Sequence, residues 1–502
     1  MNTNAKVLVV GLDGMEADLV AKWTNSGDLP TLAKLRREGV WGRPSALPGL
    51  GSDANWMSFL TGVRMGRHGR YFYRQLEKGS YSADRPTEKS WGREPFWVYI
   101  GRSGKRCIAI DMPYGAVTGE FNGIQVTDWL VHDRIYPQVR CWPEDVADRL
   151  VKTSVRHESH VHDLHGRSRA LYMDLVRQLK ERVETKTKVA LDIAARETWD
   201  MFLVTFTDAH DAGHICWHLH DPSHPQHDAA LVAEMGDPVK AIYTAVDAAL
   251  GQLLDAVGES VTVFVFSGIG MGPNYSGNFL LDDFLRVREF GAAPPKRPAD
   301  WVRHTYRRMM PLAGRNLLLS FAAKTDERLI ARDRRQRRYF AVPHNEISGA
   351  VRINLKGREA NGKIEPGPEY ERLCDELAHD LSGLVNADTG TPVVKEVVRT
   401  ATTYSGPFVN VLPDLLVVWN KIEPLTAMGL DGVGFVRADY PGSRTGDHTS
   451  NIFCAARGPG IAPGHFNAPL EVMDFASTVA TILGVDPADW DGTTIADLLE
   501  RP

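Results

Sequence analysis

His210, His214 and His448 are of a residue type that holds metal ions, and their placement would let two distant segments meet on one cation. The first two lie in Asp208-Ala209-His210-Asp211-Ala212-Gly213-His214, directly after the apolar run Met201–Phe206. Imidazoles four residues apart share one face of a helix and can share a cation, although two ordinary polar histidines have the same spacing. His448 stands in Gly446-Asp447-His448, ahead of an apolar run, Ile452–Ala456, that reads as a short buried strand. A cation held there would polarise a phosphoryl or sulfuryl oxygen, or generate hydroxide near neutral pH. Two further residues lie close enough in sequence to serve it. His218 is one more turn along the same face, and Asp447 adjoins the late histidine.

These side chains must be positioned by a sheet. Apolar runs at Val7–Val10, Arg106–Ile110, Met201–Phe206, Val261–Phe266, Leu415–Trp419 and Ile452–Ala455 alternate with helical patterns. That alternation implies a mainly parallel sheet covered on both faces. Helices are expected at Leu29–Glu38, Asn55–Thr61, Arg169–Ala195 and Val239–Val257, the last with Ile242, Val246, Leu250 and Leu254 on one stripe. Such sheets place ligands at the carboxyl ends of their strands, where Asp13, Asp208, His210 and the Ser267–Asn274 loop fall. Asp13, in Gly11-Leu12-Asp13-Gly14, reads either as a metal ligand or as a helix N-cap, and Ser52, before Asp53, as an N-cap candidate.

With 502 residues the chain has room for a large core, and its 43% apolar and 24% charged content is that of a globular protein. A net charge of −5 argues against general nucleic-acid binding and against a polybasic membrane clamp. Five scattered cysteines, with no Cys-x-x-Cys pair, exclude a disulfide framework and a Cys-rich zinc module. Residues 1–6 lack a signal-like pattern and no apolar run reaches spanning length, so a soluble cytoplasmic protein is expected. Two stretches break the α/β pattern. Residues 291–338 are strongly basic, ending in Arg332-Asp333-Arg334-Arg335-Gln336-Arg337-Arg338, which reads as a solvated helix or as a cap that draws anions inward. His157, His160, His162 and His165 with Asp163 read as a polar loop rather than a second metal site.

Gly51-Ser52-Asp53-Ala54-Asn55-Trp56-Met57-Ser58-Phe59-Leu60-Thr61-Gly62, followed by Met65-Gly66-Arg67-His68-Gly69, completes a pattern that begins at Gly11-Leu12-Asp13-Gly14. In this order the chain resembles the alkaline phosphatase superfamily, in its type I phosphodiesterase/nucleotide pyrophosphatase branch. The resemblance continues through His210–His214, Arg352–Glu359, Pro413–Trp419 and Gly446-Asp447-His448 with Gly458-Pro459-Gly460. It implies a three-layer α/β/α fold with a mainly parallel central sheet, a core of residues 1–270 and 411–502, and an inserted cap of residues 271–410. It further implies that Asp13 is the first metal-binding aspartate, Ser52 the nucleophile, and Asn55 the substrate-binding amide that steadies non-bridging oxygens.

The departures from that family are specific. His210 stands where the family has the aspartate of its Asp-x3-His turn, giving a metal set of His210, His214 and His448. The family's second metal uses a Ser-Asp-His-Gly turn, whereas here the chain reads Ser267-Gly268-Ile269-Gly270, which leaves only Asp13 and Ser52. Asp208 is then the one further ligand within reach of that site. Ser52 would need another base, such as Asp13, or hydroxide on the three-histidine metal would attack directly. The expectation is therefore a metal-dependent hydrolase or group transferase for a small anionic phosphoester, phosphodiester or sulfate ester. It would use one divalent metal, zinc before iron or manganese. The alternatives are an inactive family member that only binds, and a one-metal biosynthetic group-transfer enzyme.

Overall fold

Five strands buried on both faces form the middle of the molecule: Val7–Leu12, Cys107–Ile110, Gly123–Thr127, Met201–Phe206 and Thr262–Phe266. All four pairings among them are parallel. The computed structural model describes residues 5–45, 49–76, 78–86, 92–131, 135–136, 138–146, 168–292, 327–487 and 489–499. The histidine-rich stretch 157–165 and residues 293–326 of the basic stretch lie outside them. One edge of the nine-stranded sheet is the antiparallel strand Arg140–Trp142. The other carries Cys454–Arg457, Val40–Gly42 and Gly464–His465.

Because side chains alternate along a strand, the sheet feeds two cores. Val7, Val9, Leu203, Phe264 and Phe266 join the helices Ser52–Thr61, Phe96–Arg102 and Asp474–Ile482 on one face. On the other, Leu8, Val10, Phe202, Val204 and Val265 meet the helices Arg169–Arg196, Asp208–His220 and Pro238–Val257. The stripe Ile242, Val246, Leu250 and Leu254 is buried there, as its spacing requires.

Leu415–Trp419 departs from the expectation. It pairs antiparallel with Ser348–Ile353 and Val394–Arg399 in a separate four-stranded sheet that also holds Tyr339–Val342. An apolar run of five residues suits a buried strand in either sheet, so its composition does not choose between them. A three-stranded sheet of Val385–Asn386, Ala427–Leu430 and Gly434–Arg437 adjoins the same apolar cluster through Met428 and Val436.

The end of the basic stretch is not uniformly solvated. Arg334 and Arg337 are buried, Arg337 completely, whereas Arg332, Arg335 and Arg338 face solvent. Arg337 Nη1 lies 2.6 Å from Asp282 Oδ1, and its Nε 3.4 Å from Glu289 Oε2, both on the helix Asn278–Phe290. Arg334 donates to the Tyr81 carbonyl at 2.9 Å. Arg337 thus clamps two parts of the insert to each other, and Arg334 ties the insert to Tyr81. Arg337→Ala is expected to destabilise the protein by roughly 1–3 kcal/mol, since it removes a buried guanidinium and its ion pairs, while Asp282 keeps Arg286 and the Ala341 N–H and Glu289 keeps the Arg338 N–H. Replacing the exposed Arg335 and Arg338 by Gln should shift stability by no more than about 0.5 kcal/mol. Urea unfolding of the two variants checks this, and equal midpoints would refute the clamp.

Candidate metal centre and its surroundings

Three strand ends deliver the site. The Asp13 N–H donates to the Phe206 carbonyl at 2.9 Å, which sets the turn after the first strand against the start of the helix Asp208–His220. Gly14 has φ +76°, and a Cβ there would come within 2.4 Å of the His210 backbone, so only glycine permits this approach. The late histidine is brought in by the short strand Gly446–Thr449, which pairs antiparallel with Gly270–Pro273. A Cβ on Gly446 would lie 2.1 Å from the Gly213 carbonyl oxygen, so this glycine lets the strand lie directly on the helix. Glu16 ties the same parts together. It accepts from the Met271 N–H, Thr449 and Asn451, and burial pushes its carboxyl up to about 7.

His210, His214 and His448 converge as their spacing suggested. His210 Nε2 lies 2.9 Å from both His214 Nε2 and His448 Nε2, and all three rings are buried. The outer nitrogens of two rings have acceptors. His210 Nδ1 is 2.7 Å from Asp13 Oδ2, and His214 Nδ1 is 2.9 Å from the Gly446 carbonyl. Protons held there turn the Nε2 lone pairs of both rings toward one point, which is how metal-ligating histidines are oriented. Burial, then Arg444 and the neighbouring imidazoles, hold His214 well below the usual histidine range, so its ring is neutral and able to ligate. This donor set fits a divalent cation.

Other expected ligands have different partners. Asp13 gives one oxygen to His210 and the other to the Trp56 indole N–H, at 2.8 Å. Each oxygen thus holds one hydrogen bond, and the one to His210 is the arrangement that orients a ligating imidazole. Asp208 is 3.0 Å from Arg182 Nε, in a buried charge network in which Arg182 also meets Asp211 at 2.7 Å and Lys186 meets Asp111 at 3.1 Å. Among the described residues, the metal-competent groups are the three histidines and a second set of Glu346, Asp447 and His448, with Asp208 in neither. His218 is engaged at both nitrogens, by Thr445 at 3.0 Å and Tyr172 at 3.1 Å. Lys421 reaches Asp447 at 3.0 Å.

The second metal position of the family does not fit this chain. The Trp56 indole is fully buried beside Asp13, and a Cβ added to Gly268 would lie 2.3 Å from its Cε2. At its other edge, a Cβ on Gly11 would lie 2.9 Å from Cη2. Ile269 is buried, and Trp56 packs on Phe266 with ring centroids 5.1 Å apart. An aromatic ring and an aliphatic side chain thus stand where charged ligands would be needed. Sequence reading identified the missing ligands but not what replaced them.

Ser52 is the first residue of the helix Ser52–Thr61, and Asn55 and Trp56 lie one turn on. Asn55 Nδ2 reaches the Gly268 carbonyl at 3.4 Å, while Trp56 bonds to Asp13. The helix start is therefore docked on the turns that orient the histidines. Ser52 Oγ and Asn55 Oδ1 are buried, and neither has a hydrogen-bond partner among the described residues.

A family model described as type I phosphodiesterase/nucleotide pyrophosphatase matches residues 7–451 of the chain. No curated protein matches it by sequence. Several solved structures share the fold. Phosphonoacetate hydrolase from Sinorhizobium meliloti 1021, in complex with phosphonoformate, is 12% identical with a TM-score of 0.53, over 95% of this chain and 96% of that one. Human ectonucleotide pyrophosphatase/phosphodiesterase 5 is 13% identical with a TM-score of 0.53, over 99% of this chain and 100% of its own. The inactive murine protein in complex with AMP gives 13% and 0.51, over 97% of each chain.

Proposed function

The chain belongs to the type I phosphodiesterase/nucleotide pyrophosphatase family, and we propose that it hydrolyses a small phosphate ester or diester with one divalent metal held by His210, His214 and His448. The observation that carries this reading is the convergence of the three Nε2 atoms, with His210 and His214 fixed from behind by Asp13 and Gly446. Three neutral imidazoles favour zinc over iron or manganese. When bound, the metal supplies positive charge that stabilises an oxygen of the reacting phosphoryl group.

The protein's own groups do the rest. Ser52 Oγ is buried without a partner and stands at the start of a helix whose free N–H groups favour an anion. It attacks phosphorus in line, forming a serine–phosphorus bond as the ester oxygen departs. Asp13 is hydrogen-bonded to His210 and Trp56, and the serine proton passes to a non-bridging oxygen of the substrate. Asn55, one turn on, steadies the phosphoryl group, and water then releases the product from Ser52. Five buried cysteines in the thiol form fit a reducing compartment and support a cytoplasmic location. No described helix is long and apolar enough to cross a membrane.

The rival reading, a protein that binds anions without turning them over, draws on Trp56 in place of the second metal ligands. Hydrolysis of an aryl phosphate, an aryl phosphodiester and an aryl sulfate separates the two. Turnover of a phosphorus ester is expected, lost on chelation and restored by zinc. Phosphate binding without turnover of any of the three would favour the rival. Turnover that needs an added alcohol or amine acceptor would instead mark a group-transfer enzyme.

A further inference from the structure

The turn His344-Asn345-Glu346 leads from the strand Tyr339–Val342 to Ser348–Ile353, inside the insert. Asn345 is fully buried, and its side chain is fixed by its own surroundings. Its Oδ1 accepts from the Ile347 N–H at 3.1 Å, which settles which end of the amide is which. Its carbonyl accepts from the Ser348 N–H at 3.2 Å and from Asn278 Nδ2 at 3.0 Å. Ser348 Oγ donates to the Gly49 carbonyl at 2.8 Å, tying the turn to the segment that enters the helix Ser52–Thr61.

With Oδ1 held, Nδ2 points at that helix start. A Cβ built on Gly51 would fall 0.7 Å from Nδ2, so residue 51 has no room for a side chain. Nδ2 is buried and has no acceptor among the described residues. An unsatisfied buried donor costs free energy, and an incoming acceptor removes that cost. What lies beside it is Ser52, whose Oγ is likewise unpartnered, and a helix N-terminus whose Gly51 cap offers no side-chain acceptor. The next residue of the turn, Glu346, lies 3.7 Å from His448 Nδ1. One turn of the insert therefore runs from the helix start to the three histidines.

We infer that Asn345 is a substrate-binding residue whose side-chain amide donates a hydrogen bond to a non-bridging oxygen of a tetrahedral anion seated at Ser52. This rests on the hydrolase reading and gives the insert a direct part in recognition. The test is calorimetric titration of inorganic phosphate into the zinc-loaded full-length protein. Asn345→Ala is expected to weaken phosphate about ten- to a hundredfold. Asn345→Asp has the same shape but sets a carboxylate against the anion, and should weaken it further. Zinc content should not change in either variant; Asn345→Ala, which frees the Ile347 N–H, should melt somewhat lower, so the titration is run well below that temperature on protein shown to be folded. Phosphate affinity within twofold of the parent in Asn345→Ala overturns the assignment and leaves the hydrolase reading in place. A parent protein that binds no phosphate overturns both.

Discussion

Ser52→Ala is expected to lower turnover of a phosphate ester by roughly three orders of magnitude or more, with zinc content unchanged. The structural reason for a clean result is that the hydroxyl is buried and has no hydrogen-bond partner among the described residues. Removing it leaves no other group unsatisfied, and an unpaired buried hydroxyl itself costs about 1–3 kcal/mol. The variant should therefore melt at the same temperature as the parent or slightly higher. That pairing separates chemistry from folding, because a serine kept as a structural N-cap would be missed in stability rather than in turnover. Single-turnover measurement of hydrolysis, alongside a thermal melt, gives both readings. A variant that keeps more than about a tenth of the activity would rule out attack by Ser52 and assign the step to water.

How much of this could be read from sequence depends on whether the signal is local. Four of the five central strands and the long helices show in their own residues, and their bounds fall within a few residues of expectation, whereas Gly123–Thr127, with Gly123 and Gln125 inside it, was not expected. His210 and His214 announce a shared face through spacing alone, and Gly446-Asp447-His448 singled out the third histidine through its likeness to the family's late segment. The pairing of Asp208 with Arg182 was not legible, because Arg182 lies on another helix and no spacing rule links the two. The burial of Arg334 and Arg337 was not legible for the same reason. A dense run of arginines looks solvated until Asp282 and Glu289, about fifty residues earlier, are known to face it. Asn345 was invisible because its meaning depends on contact with Gly51, nearly three hundred residues away. Local patterns therefore gave the frame and the three converging histidines, whereas the groups packed around them depend on contacts made only in the fold.

The occupancy of the second metal position is the sharpest consequence of those contacts. Metal analysis of the unaltered protein purified without chelators should give close to one equivalent of zinc per chain, and His214→Ala should bring it near zero. The double change Gly268→Asp with Ile269→His restores the family's ligand types, yet it is expected to bind no additional metal. A side chain at residue 268 meets the Trp56 ring at 2.3 Å, and Asp13 remains bonded to the indole N–H. Adding Trp56→Ala clears the ring and frees one oxygen of Asp13, so the triple variant should rise toward two equivalents. Its stability should fall by about 3–5 kcal/mol for loss of a buried tryptophan, so the measurement belongs at low temperature and high metal concentration. Two equivalents in the unaltered chain would contradict this account and point to Glu346, Asp447 and His448 as the second holder. Lys421 at 3.0 Å from Asp447 and Arg444 at 3.8 Å from Glu346 already supply positive charge there, which argues against a cation between them. Glu346→Gln should accordingly leave the zinc content at one.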